Sequence, residues 1–298
     1  MQRASSDTGQ DPGFDHSGFD AVIFSGGGCR CFWQLGFWTV AGDLPGLRPR
    51  QVGAASAGSG LACAALAGVA EQVLDDFKRR VRDNARNIYP RNLLRRRPAF
   101  PHEAIYRATI LASLDQAGLD RLHQGPDIRV ILARPLPWLG PRTGLAAAAI
   151  ALGFELCSQR FGSFRVHAAW GRRLGFRSEI VSIRRCATPE QLADLILQTS
   201  CSPPLTPLYR RDDRVVIDGG LIDNAPLEAV AGARSTLVLL TRAFDPAVLP
   251  RRPGFTYLTP SQPIPIAAWD YTSPDLVQQT YDLGRRDGEA FARSRRPG

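Results

Sequence analysis

The chain lacks any run of the ~18 or more apolar residues that a membrane-crossing helix needs, so no such span is expected among its 298 residues. The longest candidate, Gly144 to Leu152, is Ala-rich and short, and it reads as a buried helix. The opening stretch, Met1 to Ser17, is polar and carries Gly, Pro, Ser and Asp, without the apolar h-region of a secretory signal. A polar tail over 1–17, a domain over 18–294 and a cytoplasmic location follow as expectations. Lysine is nearly missing: Lys78 is the only one among 37 basic residues, the rest being Arg. Against 28 acidic residues this leaves a net charge of +9. Such a balance suits nucleic acid, an acidic membrane surface, or a plain solvated exterior. The six cysteines stand at 29, 31, 63, 157, 186 and 201, and Cys29 with Cys31 has no second close Cys or His pair to complete four zinc ligands. No metal site is expected, and the cysteines read as reduced, buried thiols.

What is present is a hydrophobic content of 44%, ample for a real core. Phe19 to Phe24 reads as a short strand, and Cys29 to Gly42 as a helix apolar nearly all round, hence buried. Gln51 to Ala55 and Ala57 to Gly68 repeat the strand–helix order, which favours a parallel sheet with right-handed crossovers. Residues 69–125 are more polar and helical in spacing, with Val73, Phe77 and Val81 recurring among charges. Asp127 to Ala133 and Glu179 to Ile183 read as strands, and 136–175 has no clear pattern, so 70–175 is the least defined part of the domain. Thr188-Pro189 starts a helix with a cap and a first-turn proline. Arg214 to Ile217 is a strand ending on Asp218, Asn224 and Pro226 suit a further helix start, Ser235 to Thr241 is an apolar strand, and Pro274 to Ala292 a final helix. The fold class expected is α/β with a mostly parallel central sheet.

Three short stretches carry chemistry. Gly26-Gly27-Gly28 lies between a strand and a helix, where unobstructed N–H groups and the positive end of the helix dipole can hold an anion. A dinucleotide fingerprint would need Gly where Cys31 stands, and a phosphate-binding loop would need Gly-Lys-Ser/Thr, which is absent. Ser56 sits where a strand turns into a helix, flanked by the small residues Ala54 and Gly58, as an exposed nucleophile requires. Asp218 ends a strand and is followed by Gly219 and Gly220, and strand ends are where parallel α/β sheets gather their sites. Taken singly, each is also a small-residue turn. In combination they offer oxyanion donors at Gly26, Gly27, Gly28 and Cys29, a nucleophile at Ser56 and a base at Asp218. The four histidines, His16, His102, His123 and His167, all precede Asp218, and no motif marks any of them.

These residues resemble the patatin-like phospholipase family, which pairs a glycine-rich oxyanion loop with a serine turn and an Asp-Gly-Gly/Ala motif. The Pro-containing turn Ser202 to Pro207 and the run Asp223-Asn224-Ala225-Pro226 are similar as well. The likeness covers roughly residues 20–230, with 70–175 outside any clear match. Cys31 replaces the glycine that commonly closes the first motif, and Ala54 replaces the first glycine of the serine turn. The resemblance implies a three-layer patatin-like fold and hydrolysis of fatty acyl esters by a Ser56–Asp218 dyad without metal or cofactor. It implies a role for Arg30 in setting the loop or meeting an anionic head group, the other reading being a surface ion pair. The partners then expected are a lipid or acyl-ester substrate and the anionic membrane surface rather than nucleic acid. Leu93-Leu94-Arg95-Arg96-Arg97 with Phe100 is the apolar and basic stretch suited to that surface. Two other functions stay open: hydrolysis of small esters or thioesters on the same dyad, and a non-catalytic anion-binding protein of the same fold.

Overall fold

The computed structural model describes residues 18–94, 98–136, 153, 166–167, 170–203 and 205–295. The apolar runs read above become strands β1 (Ala21–Phe24), β2 (Gln51–Ala54), β3 (Asp127–Pro135), β6 (Arg214–Asp218) and β7 (Thr236–Leu239), joined by β4 (Phe176–Ser182), β5 (Tyr209–Arg211) and β8 (Phe255–Leu258). They form one mixed sheet in the order β5-β6-β3-β2-β1-β7-β8, with β4 also on β3. The run β3-β2-β1-β7-β8 is parallel, and β4, β5 and β6 join antiparallel.

Strand alternation splits the core. Val22 and Phe24 of β1, with Leu237 and Leu239 of β7, face the larger layer, while Ala21, Ile23 and Val238 face the opposite one. The larger layer is helical: α1 (Phe32–Ala41), α2 (Ala57–Leu66), α3 (Ala70–Arg82), α5 (His102–Ser113), α6 (Gln116–Gln124), α8 (Pro189–Thr199) and α9 (Pro274–Ser294) contribute to it. Short helices α4 (Arg91–Leu94) and α7 (Trp170–Arg173) complete the set among the described residues. The opposite face packs against Val166 and the 3-10 turns Gly219–Leu221 and Leu227–Val230. The second of these corrects the helix expected at Asn224-Pro226: the chain makes a single 3-10 turn there, and Asn224 turns its side chain elsewhere. Gly144 to Leu152 and Arg95 to Arg97 lie outside the described residues, as do the side chains of Leu93 and Leu94.

Pairing along β3 positions the site. Strand β2 runs parallel to β3 and ends with Ala54 beside Val130. Strand β6 runs the opposite way and ends with Asp218 beside Leu132. Both use the same edge of β3, because β4 occupies the other from Arg129 to Pro135. Two strands therefore approach head to head on one edge, and the residues just past their ends meet.

Candidate active site

Ser56 lies in that gap, between β2 and α2. Its backbone has φ 51° and ψ −137°, a left-handed conformation rare for a residue with a side chain. The turn is held from behind: the Ser56 N–H donates to Thr199 Oγ1 at 3.2 Å, and Thr199 Oγ1 donates to the Ile131 carbonyl at 2.6 Å. Small neighbours are required by space. A Cβ on Gly58 would stand 2.5 Å from the Ser25 carbonyl oxygen. Ala54, in contrast, is the last residue of β2, and its methyl is accommodated in the extended strand with the residue fully buried.

The Ser56 hydroxyl donates to Asp218 Oδ2 at 2.6 Å. The same oxygen accepts from Ser202 Oγ at 3.3 Å, and Asp218 Oδ1 accepts the Gly220 N–H at 2.7 Å. The Asp218 N–H donates to the Cys201 carbonyl at 2.7 Å, tying Asp218 to the Pro-rich turn. Gly219 must be glycine, since a Cβ would come within 2.1 Å of the Ile131 carbonyl oxygen. Ser202 is a partner of the carboxylate that the sequence motifs did not single out; its place beside the proline turn was the available signal.

The glycine loop lies against Ser56, with a Cβ built on Gly26 falling 3.1 Å from Ser56 Cβ. Each of its glycines faces a close neighbour: Asn224 Oδ1 at Gly26, Thr241 Oγ1 at Gly27 and the Ala268 carbonyl at Gly28, all within 2.5 Å of where a Cβ would stand. Asn224 Nδ2 and Thr241 Oγ1 both donate to the Gly26 carbonyl, at 3.0 and 2.7 Å. Two of the four donors expected from sequence are not available. The Gly26 N–H is given to the Asn224 carbonyl at 3.0 Å, and the Cys29 N–H to the Ala268 carbonyl at 2.9 Å. The Gly27 and Gly28 N–H groups donate to no described residue. Ala57, first residue of α2, adds an N–H without an acceptor inside the helix; its position directly after the serine was the signal for it. Arg30 Nε donates to the Gly27 carbonyl at 3.3 Å. Cys31 closes the 3-10 turn Gly28–Cys31 that leads into α1.

A family model described as patatin-like phospholipase matches residues 22–231, more than half of the chain. The chain belongs to the patatin-like phospholipases. No curated protein matches its sequence. Among solved structures it is similar to VipD from Legionella pneumophila, at 11% identity and a TM-score of 0.45, over 93% of this chain and 67% of that one.

For a patatin-like phospholipase, a lipid acyl hydrolase by family, the other nucleophiles and bases matter by their placement. Burial pushes the Cys29 and Cys31 thiols well above their ordinary range, so neither is a thiolate beside the loop. His167 uses both ring nitrogens, on Asp223 Oδ1 and the Tyr257 hydroxyl, at 2.8 Å each. His102 is 2% exposed, and its Nδ1 faces the Tyr271 hydroxyl. Burial lowers its pKa to about 4. The Nε2 atoms of His102 and His123 are buried without hydrogen-bond partners among the described residues. His16 lies outside the described residues.

Proposed function

We propose that this chain is a phospholipase A-type acyl hydrolase that cleaves fatty acyl esters with Ser56 as nucleophile and Asp218 as its base. The observation that carries this reading is the 2.6 Å hydrogen bond from Ser56 Oγ to Asp218 Oδ2, made by a serine held in a left-handed turn. Ser56 Oγ attacks the acyl carbonyl carbon as its proton passes to Asp218. The oxyanion forms beside the Gly27 and Gly28 N–H groups, where one donor is worth about 100- to 1000-fold in rate. Collapse of the tetrahedral intermediate breaks the ester bond, and the leaving alcohol takes the proton back from Asp218. Water then attacks the acyl-serine, gives its proton to Asp218, and the fatty acid leaves as Ser56 regains its proton. Each step uses this chain's own groups and water. Gly220 and Ser202 orient the carboxylate through the hydrogen bonds described above, which keeps one oxygen aimed at the serine.

Peripheral contact with an anionic membrane is the route to such a substrate, supported by the +9 net charge and the Arg-rich stretch before Phe100. A fluorophosphonate probe tests the nucleophile. Mass spectrometry should find the adduct on Ser56, and labelled protein should lose turnover on phospholipid. Labelling elsewhere, or turnover surviving complete Ser56 labelling, would remove the assignment. A panel of phospholipid, short-chain ester and acyl thioester then decides the substrate class, with phospholipid expected to give the highest kcat/KM.

A further inference from the structure

The family match ends at residue 231, yet the segment between β8 and α9 crosses the glycine loop. Its Ala268 carbonyl takes the Cys29 N–H at 2.9 Å, and its Asp270 carbonyl takes the Cys29 thiol at 3.1 Å. This segment is itself anchored from α3's end: the Tyr271 carbonyl accepts from Asn84 Nδ2 and the Tyr271 N–H donates to Asn87 Oδ1, each at 2.7 Å. The Tyr271 side chain, 3% exposed, reaches back inside. Its hydroxyl is in hydrogen-bond contact with His102 Nδ1, and the Asp270 carbonyl that takes the Cys29 thiol shares its peptide group with the Tyr271 N–H. The His102 ring stacks on Tyr106 with centroids 5.2 Å apart, and the Tyr106 hydroxyl donates to the Ala57 carbonyl at 2.8 Å. Ala57 is the residue after Ser56.

The contacts form one buried line from the oxyanion loop to the nucleophile turn. We propose that Cys29, Tyr271 and His102 are positioning residues, a hydrogen-bonded brace that sets the Gly27–Gly28 donors against Ser56. At one end the Cys29 S–H donates to the Asp270 carbonyl, and at the other, when His102 carries its proton on Nδ1, the Nδ1–H donates to the Tyr271 oxygen. That tautomer leaves Nε2 as a bare acceptor, consistent with its lack of a partner. Burial keeps the imidazole neutral, as this arrangement needs. Oxyanion donors act only when fixed before the charge develops, and an error of about 1 Å can cost a hundredfold in rate. Two contacts with this segment, the N–H to the Ala268 carbonyl and the thiol to the Asp270 carbonyl, fix the one residue, Cys29, that follows the two open donors.

This positioning role rests on the assignment of Ser56 and Gly27–Gly28 above, and the experiment separates the two. Full-length Tyr271→Phe, Cys29→Ala, Cys29→Ser, the Cys29→Ala/Tyr271→Phe double variant and Ser56→Ala are compared on a p-nitrophenyl ester and on fluorophosphonate labelling, with melting recorded for each. Tyr271→Phe and Cys29→Ala should each lower kcat by about 10-fold, with KM little changed and labelling of Ser56 slowed in parallel. Cys29→Ser, which keeps a donor for Asp270, should recover most of the kcat lost in Cys29→Ala. The double variant should lose little more than either single one, because both break one line. If Tyr271→Phe folds poorly, the Cys29→Ala and Cys29→Ser pair decides alone. Wild-type kcat in folded Cys29→Ala, or no recovery in Cys29→Ser, would overturn the brace while an inactive Ser56→Ala left the site standing. An active Ser56→Ala would instead bring down the site assignment itself.

Discussion

Ser56 pays for its reach with a backbone angle that side chains avoid. Its φ of 51° places the hydroxyl 2.6 Å from Asp218, and such strain costs on the order of 1–3 kcal/mol. Two substitutions isolate it. Ser56→Ala and Ser56→Gly both delete the hydroxyl and its hydrogen bond, but only glycine relaxes at that φ. Ser56→Gly should therefore be more stable than Ser56→Ala by about 1 kcal/mol, measured by denaturant midpoints, with both variants inactive. Equal stability would mean that the turn is not strained. The serine and the two motifs around it were legible because their residue types are demanded by space: glycine at 27, 28, 58 and 219 is the only side chain the neighbouring atoms admit. Asn224, Thr241 and Ser202 were not legible in that role. Their partners lie 16 to 215 positions away in the chain at Asp218 and Gly26, and single polar residues carry no periodic signal.

Among the elements, those with strong local chemistry read directly from sequence. The helix start at Thr188-Pro189 is α8, with Thr188 Oγ1 accepting the Gln191 N–H at 3.3 Å. β1, β2, β6 and β7 follow their apolar runs. β5 was missed because its hairpin to β6 turns through Asp212 and Asp213, both at positive φ without a glycine to announce it. β8 was missed because its four residues are only half buried at the sheet's edge. The helix start at Asn224-Pro226 failed because Asn224 is used on the glycine loop and Asp223 caps the turn by accepting the Ala225 and Leu227 N–H groups. Helix α5 makes its own prediction. It buries His102 beside Tyr106, Trp269 and Tyr271, and its pKa falls to about 4 from 6.5. The unfolded chain takes up a proton there as pH drops through 6.5, while the folded chain resists until about 4. The stability held by neutral His102 is thus fully present above pH 6.5 and is lost as pH falls toward 4. Denaturant unfolding at pH 7 and pH 5 should show a loss of about 2 kcal/mol from this group, and His102→Gln should shrink that loss. The same pH dependence in His102→Gln would contradict the burial of a neutral imidazole.

At the scale of the whole molecule, the C-terminal helix lies beyond the family match yet seals the main core. α9 contributes Val277, Tyr281, Leu283 and Phe291 to the same cluster as β1 and α1. The two helices touch backbone to backbone: a Cβ on Gly284 would stand 2.0 Å from the Trp33 carbonyl oxygen, and one on Gly36 the same distance from that of Tyr281. Helix propensity alone would favour Gly284→Ala by about 1 kcal/mol, whereas forced overpacking costs about 1–3 kcal/mol. The contact is with rigid backbone, so overpacking should win. Gly284→Ala is expected to lower the unfolding free energy, and a stabilised Gly284→Ala would show that the helices can separate. The residues of the site span Gly26 to Asp218, with Thr241 and Ala268 behind the loop, so no smaller piece of the chain holds all of them.

The dyad is tested most directly by its base. Asp218→Asn is nearly isosteric and keeps an oxygen for the Gly220 N–H, so the fold and substrate binding should survive. Turnover should fall at least ~100-fold, the lower end expected when a general base is removed. His102→Gln, His123→Gln and His167→Gln, assayed as folded proteins on the same ester, should each keep turnover within about 10-fold of wild type. That pattern is the result expected for Ser56 working with Asp218 alone. A collapse in one histidine variant with Asp218→Asn still active would contradict it and replace the dyad with a histidine-based mechanism.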